Sequence, residues 1–498
     1  MNRNDFKKLV AGGLVCLLTF CSCSMGGGES YVLLTEENRD DVSWTKAKVW
    51  DYEPAEKVYY DILGEDVMPI VGYWGPYREA TYQGTSIPSL RTDEMWQLVK
   101  STGVNLVTQN NDIYSDTPET VLQTLDFAAK YGLGYFVKDN ALFLLQRGEK
   151  DSRGYFTDGS SIYGLQSDFD ERLKEYVNHS GFAGLDLVDE PSWSMLKDGS
   201  DSNVGKVTSM YWSALETNGK TNKAPWLNLF PSGMVTNEGG DYCEYLDQAA
   251  QMLGYISYDA YPFMWDKTDD LSVSHLYDNL NYVYDAARAN DVPFWAFVQC
   301  GGNWETWDEH TSCKPPTIEQ VLWETNLFIA YGAKGIQYYT MCMPHSNFDY
   351  IRYGGETGMF DMFGNKTKYF YAAQMANTQI SACDHILMNA TQHGLICLGN
   401  LMGEAGKDYL RSLIPEGRFR ELSKVSGDSP ILIGCFDYFG KTALWVMNNS
   451  YYDTAEVRLE FDDKYCYEVI QRGESVQVVG RSFTLKFSPG EAALVALQ

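Results

Sequence analysis

The chain has 498 residues, more than one hydrophobic core organises, which predicts a large domain of roughly 250–350 residues beside a smaller one. Its composition, 44% hydrophobic and 21% charged, is that of a globular protein and excludes extensive disorder. A formal net charge of −28 repels nucleic acid and anionic lipid headgroups, so neither is predicted as a partner.

The chain opens with a basic stretch, MNRNDFKK, followed by LVAGGLVCLLTF, an apolar run of signal-peptide length that is too short to span a bilayer. CSCS comes next, and the whole resembles a bacterial lipoprotein signal, whose cleavage leaves an acylated N-terminal cysteine. Cys23, preceded by the small Ser22, fits that position better than Cys21, which follows Phe20. The resemblance implies export and a lipid anchor in the cell envelope, with 1–23 as signal and 24–45, including GGGES, as a flexible tether. Among the remaining cysteines no CxxC pair occurs, and with six His in the chain no zinc site is predicted. Cys300 and Cys313 are placed either to staple one loop as a disulfide or to remain buried thiols.

Across 46–388 one unit recurs: a short apolar run, a polar cluster, then a segment with helical periodicity. The strand-like runs are 68–74, 103–109, 132–139, 182–189, 224–230, 253–261, 292–299 and 333–340. Segments such as TDEMWQLVKST, PETVLQTLDFAAKYG, DFDERLKEYVNHSG and TIEQVLWETNLFIAYG alternate with them, several entered through Thr, Asp or Pro and left through Gly. Eight such units predict an α/β fold, a (β/α)8 TIM barrel closed by a helix over 361–385. The alternative, a doubly wound open sheet, lacks a Gly-rich phosphate fingerprint after its first strand. From 389 to 498 short strands separated by Gly, Asn, Asp and Pro predict a small C-terminal antiparallel β-sandwich.

Barrel active sites are built at the carboxyl ends of the strands, so the polar residue ending each run is the one that matters. These are Trp74 and Tyr77, Gln109 and Asn110, Lys138 and Asp139, Asp189 and Glu190, Asn228, Asp259 and Tyr261, Gln299, and Tyr339. The ring is rich in carboxylates and aromatics, as cleavage of an acetal between sugar rings requires. Glu190 is the candidate general acid, Asp189 the residue that orients it or the sugar, and Asp259 the second carboxylate. Trp74, Asn110, Asp139, Tyr261, Gln299, Trp304 and Tyr339 are the candidate substrate contacts. No cofactor or metal is needed for this chemistry, and the partner is a carbohydrate. Lys138 beside Asp139 reads either as a structural ion pair or as a contact for an acidic sugar.

The layout resembles the superfamily of retaining (β/α)8 glycoside hydrolases related to β-galactosidases and cellulases, whose acid/base is a Glu ending strand four in an Asn-Glu-Pro context. Glu190 and Pro191 match it, with Asp189 in place of the Asn; YDAYPF at strand six and a terminal sandwich ending in PGEAALVAL are also similar. The superfamily's nucleophile is a Glu ending strand seven, and here that position is Gln299. A carboxamide is a far poorer nucleophile than a carboxylate, which leaves three routes. In an inverting route, Glu190 pairs with Asp259 or Asp139 about 6.5–9.5 Å away. In a substrate-assisted route an acetamido group attacks, as implied by the resemblance of Asp189-Glu190 to the pair in β-N-acetylhexosaminidases. Chitinase-like enzymes offer the related pattern DxxDxDxE, which only Asp186 and Glu190 fit, and Tyr258-Asp259 resembles their sixth strand. In the third route Glu305 or Asp308, in GGNWETWDEH, supplies the carboxylate, although the same loop also reads as a substrate wall carrying Trp304 and Trp307. The rival class is a non-catalytic glycan-binding lipoprotein on a barrel that has lost its nucleophile; a purely structural envelope protein leaves the polar strand ends unexplained.

Overall fold

Each of the eight predicted runs contains a strand, and nearly every residue in these strands is buried, as a parallel sheet wrapped in helices requires. In chain order they are β1 (Ile70–Gly72), β2 (Leu106–Thr108), β3 (Gly134–Val137), β4 (Phe182–Asp189), β5 (Trp226–Asn228), β6 (Ile256–Tyr258), β7 (Phe294–Gln299) and β8 (Gly335–Tyr339). The computed structural model describes residues 32–34, 53–82, 84–108, 117–138, 166, 170, 173–264, 269–302, 313–342, 358–399, 418–427 and 430–498. The strands pair in parallel in the order β5-β4-β3-β2-β1-β8-β7-β6. A parallel bridge between Leu229 and Tyr258 then joins the β5 end to β6. The ring is therefore closed, a (β/α)8 barrel without the two free edges of an open doubly wound sheet.

Helix starts follow the side-chain signals that predicted them. Thr92 caps α1 (Asp93–Ser101), accepting from Met95 N. Thr117 and Thr120 form a reciprocal capping box at α2 (Pro118–Lys130), and Thr317 with Gln320 does the same at α3 (Ile318–Ala330). Each cap satisfies N–H groups the helix cannot, worth about 0.5–2 kcal/mol. The last barrel helix is α4 (Lys368–Leu387).

The C-terminal strands are β9 (Ala390–Leu398), β10 (Leu422–Gly427), β11 (Ile431–Tyr438), β12 (Lys441–Asn448), β13 (Ala455–Gln471), β14 (Glu474–Phe487) and β15 (Ala492–Leu497). Among them, β13 runs unbroken through the polar stretch Asp462–Lys464, where the sequence pattern of short strands implies a turn. Its pairing with β14 shifts register between Glu460 and Tyr465, so a bulge takes up the polar residues that read as a turn. The first half of β13 pairs with β10 and the second with β15, which carries the sheet from one layer of the sandwich to the other. Residues 482–497 are divided between β14 and β15 at a turn where Gly490 takes a positive φ of 68°. Val32–Leu33, within the segment read as a tether, adds a short antiparallel strand to the β14 edge.

The sheet β11-β12-β15 is apolar on both faces. Ile431, Ile433, Leu444, Val446 and Val495 fill the sandwich core. Their alternating neighbours Leu432, Ala443, Trp445, Met447 and Leu494 join the barrel core. Buried hydrogen bonds pin the junction: Trp323 Nε1 and Tyr277 OH both donate to Asn449 Oδ1, at 2.8 and 3.2 Å, and Asn326 Nδ2 donates to Gly490 O at 2.7 Å. Cys300 and Cys313 are both buried and not joined in a disulfide, which decides between the two readings of that pair. Among the described residues, no helix is long and apolar enough to cross a membrane.

Candidate active site

At the carboxyl ends of the strands lies a cavity of about 500 Å³ whose lining includes Trp74, Asp189, Glu190, Asp259, Tyr261 and Tyr339. Chain closure brings these residues, separated by up to 265 positions (339 − 74), to one place. Asn110, Asp139, Trp304 and Cys23 lie outside the described residues, as do Glu305, Trp307 and Asp308.

Strand β4 reaches the cavity through an irregularity. Asp186 and Asp189, three apart, would fall on opposite faces of a regular strand. The pairing with β5 shifts register between Asp186 and Val188, and this bulge re-phases the strand so that both carboxyls turn toward Tyr73 and Lys138. Glu190 follows in the left-handed region, with φ 50°, its N–H donating to Asn228 O at 2.9 Å. Trp74, after β1, has φ 62°, its N–H donating to Thr108 Oγ1 at 3.0 Å. A non-glycine residue in that region costs about 1–3 kcal/mol, and both instances border the cavity.

Asp189 is held by neighbours from two other strands. Tyr73 OH donates to its Oδ2 at 2.5 Å, and Asn228 Nδ2 donates to Oδ1 at 3.5 Å. The Asn228 amide is itself fixed by a chain through the barrel interior. Trp226 Nε1 donates to Gln337 Oε1 at 2.6 Å, Gln337 Nε2 to Ser257 Oγ at 2.7 Å, and Ser257 Oγ to Asn228 Oδ1 at 3.0 Å. Every link is buried, so the amide nitrogen, the donor end, faces the carboxylates. Lys138 Nζ lies 3.5 Å from Asp186 Oδ1, the ion-pair reading of that lysine.

Glu190 and Asp259 line the same cavity, close enough for each to act on the other's protonation. Burial, then the charges of Asp259 and Asp189, push the Glu190 carboxyl well above the usual carboxylate range. Burial and Asp189 push Asp259 up to about 7, with the hydrogen bonds from Glu190, Tyr261 and Asn228 opposing. Both carboxyls are thus raised, and the pair retains a proton near neutral pH.

Gln299 departs from expectation. It is fully buried and absent from the cavity lining. Its Oε1 accepts from Phe263 N at 2.9 Å, and its Nε2 donates to Phe263 O at 3.0 Å and Lys314 O at 2.8 Å. The side chain clips the segment after β6 to the segment that precedes α3, a commitment that leaves nothing for substrate. Tyr77 is buried too, its OH donating to Met362 O at 2.8 Å. Sequence reasoning passed over Tyr73, Phe297 and His275, which line the cavity. Tyr73 had a signal, being the residue before the chosen Trp74; His275 sits in a helix and had none.

One wall is aromatic. Tyr73 stacks on Trp74 with ring centroids 4.9 Å apart, Trp74 approaches Tyr339 at 5.6 Å, and Tyr339 approaches Tyr261 at 5.2 Å. Flat apolar rings facing carboxyl groups suit a ligand with one C–H face and several hydroxyls. Among the described residues, no group of three or more His, Cys, Asp or Glu is arranged to hold a metal ion.

No protein-family model and no curated protein matches the chain. Among solved structures, it is similar to a β-galactosidase from a psychrophilic Marinomonas, with 13% identity over 64% of this chain and 62% of that one, at a TM-score of 0.44. It is also similar to a β-L-arabinopyranosidase from Geobacillus stearothermophilus, with 11% identity over 87% and 96% and a TM-score of 0.44. An isomaltulose synthase from a Klebsiella strain gives 10% identity over 87% and 99%, with a TM-score of 0.47. The chain therefore spans less than two thirds of the length of the β-galactosidase.

Proposed function

We propose that this chain is a glycoside hydrolase acting on a poly- or oligosaccharide, with Glu190 as general acid. The observation that carries the reading is the Glu190 carboxyl itself. It stands at a barrel mouth, half-buried, in one cavity with the carboxyls of Asp189 and Asp259 and an aromatic wall. A carboxylic acid kept protonated near neutral pH is what departure of a sugar alkoxide requires.

In this mechanism Glu190 transfers its proton to the glycosidic oxygen as the C1–O bond breaks. Asp259 holds that proton in place beforehand. Gln299 is engaged with the loop backbone, so the electron pair for C1 comes from the substrate. The carbonyl oxygen of a 2-acetamido group, oriented by Asp189, bonds to C1 as the leaving alcohol departs. Water then adds to C1, giving its proton to the Glu190 carboxylate, and the acetamido group is released with the original anomeric configuration. One feature supports this route: Asp189 and Glu190 are consecutive and both line the cavity. The signal-like residues 1–23 support an exported protein anchored through Cys23.

The rival glycan-binding reading drew on Gln299, and the hydrogen bonds of that residue account for it without a lost nucleophile. The test is sugar release from a glycan panel that includes N-acetylhexosamine polymers, with Glu190→Gln run alongside. Product from the wild type alone is expected; binding without product, or equal product from both, would remove the assignment.

A further inference from the structure

Beneath the reacting carboxyls lies a charged pair that the mechanism above leaves unused. Asp186 has no exposed side-chain surface, and among the described residues its one close polar neighbour is the Lys138 ammonium. Such a group persists in a core when a counter-charge is close, and Lys138 Nζ is 3.5 Å away. The Lys138 side chain, at the end of β3, is 12% exposed.

We propose that Lys138 and Asp186 form a buried charged platform that keeps Asp189 ionised beside a protonated Glu190, which makes Lys138 a positioning residue of the site. The geometry follows from the β4 bulge, which puts Asp186 and Asp189 on one face, both within the field of Lys138. Several groups face Asp189: Asp186 and Glu190 from its own strand, Tyr73 from β1, Lys138 from β3, Asn228 from β5, Asp259 and Tyr261 beyond β6, and Tyr339 from β8. Burial keeps the tyrosines neutral. Among the described residues, Lys138 is the cation in this set. Without it, Asp186 and Asp189 would be two negative charges in a low-dielectric site, and one would take up a proton. A protonated Asp189 cannot serve as the negative group that orients an acetamido nitrogen. The inference rests on the hydrolase reading only for its kinetic part.

The experiment is a titration of the Asp189 carboxyl by ¹³C NMR of the full chain, with the resonance assigned by its loss in Asp189→Asn. In Lys138→Met the midpoint is expected to rise by about one pH unit or more, and Lys138→Arg is expected to restore it. Asp186→Asn, which frees the Lys138 charge for Asp189, is expected to lower the midpoint; it serves as the second test should Lys138→Met not fold. An unchanged midpoint in folded Lys138→Met or in Asp186→Asn would overturn the proposal while leaving the role of Glu190 untouched. Once a substrate is in hand, the acidic limb of kcat in Lys138→Met is expected to move up with the NMR midpoint; a uniform loss with no movement of the limb would indicate a structural role only.

Discussion

Asp259 and Glu190 come from strands on either side of β5 and line one cavity, where the charge of Asp259 helps to hold the Glu190 carboxyl above the usual carboxylate range. Two buried carboxyls close together cannot both be ionised at moderate cost, so the pair retains one proton into the neutral range. That proximity supplies an acid at the barrel mouth.

Burial of Asp259 beside Asp189 makes the fold sensitive to alkali. For Asp259 the folded value is about 7 against 3.8 for a free Asp side chain, a raised value. Its contribution to stability is therefore full below 3.8 and lost as pH rises through about 7. Thermal unfolding of the wild type is expected at lower temperature at pH 8 than at pH 5. Asp259→Asn should be more stable than wild type at pH 8, by roughly 1–4 kcal/mol, with a flatter pH profile and little activity. A wild-type profile that rises from pH 5 to 8 would contradict the assignment.

Glu190→Gln is expected to lower kcat on natural glycosides by roughly 10²–10⁴-fold, the range for a general acid. Aryl glycosides with acidic leaving groups need no protonation, so their first step should be nearly spared. Comparing the two substrate types in one variant separates loss of the acid from misfolding.

Gln299→Glu is expected not to install a working nucleophile. A carboxylate cannot donate to Phe263 O and Lys314 O, and those carbonyls would face a charge. The expected outcome is a loss of about 1–3 kcal/mol in chemical denaturation and no trapped covalent intermediate. Wild-type stability in this variant would show that the clip contributes little.

Tyr73→Phe removes the 2.5 Å hydrogen bond to Asp189 and leaves Asn228 at 3.5 Å. Hydrogen bonds to charged groups are worth about 1.5–3 kcal/mol, so kcat is expected to fall by roughly 10–100-fold in steady-state kinetics. KM should change far less, because the aromatic ring remains.

Asn449→Ala strips the acceptor from two buried donors, Trp323 Nε1 and Tyr277 OH. Stability is expected to fall by about 2–4 kcal/mol, and calorimetry should still show one transition, because the barrel and sandwich share a core through Trp445 and Leu494. Two separated transitions would mean the junction does not couple the domains.

The sequence by itself determined the barrel strands and the helix caps, since both are local signals. A barrel strand is a short apolar run buried on both faces, and a cap is one side chain reaching its own helix. It also determined that Asp189 and Glu190 end a strand. What only the tertiary structure decided depends on pairing between distant segments. The 460–465 bulge fuses two apparent strands into β13. The bulge at 186–188 turns Asp186 toward Asp189. Closure of the ring brings Asp259 and Glu190 to one cavity, and folding of the segment before α3 onto Phe263 occupies Gln299. Hydrogen bonds and charge proximity across the ring are properties of the closed structure, and no single stretch of the chain encodes them.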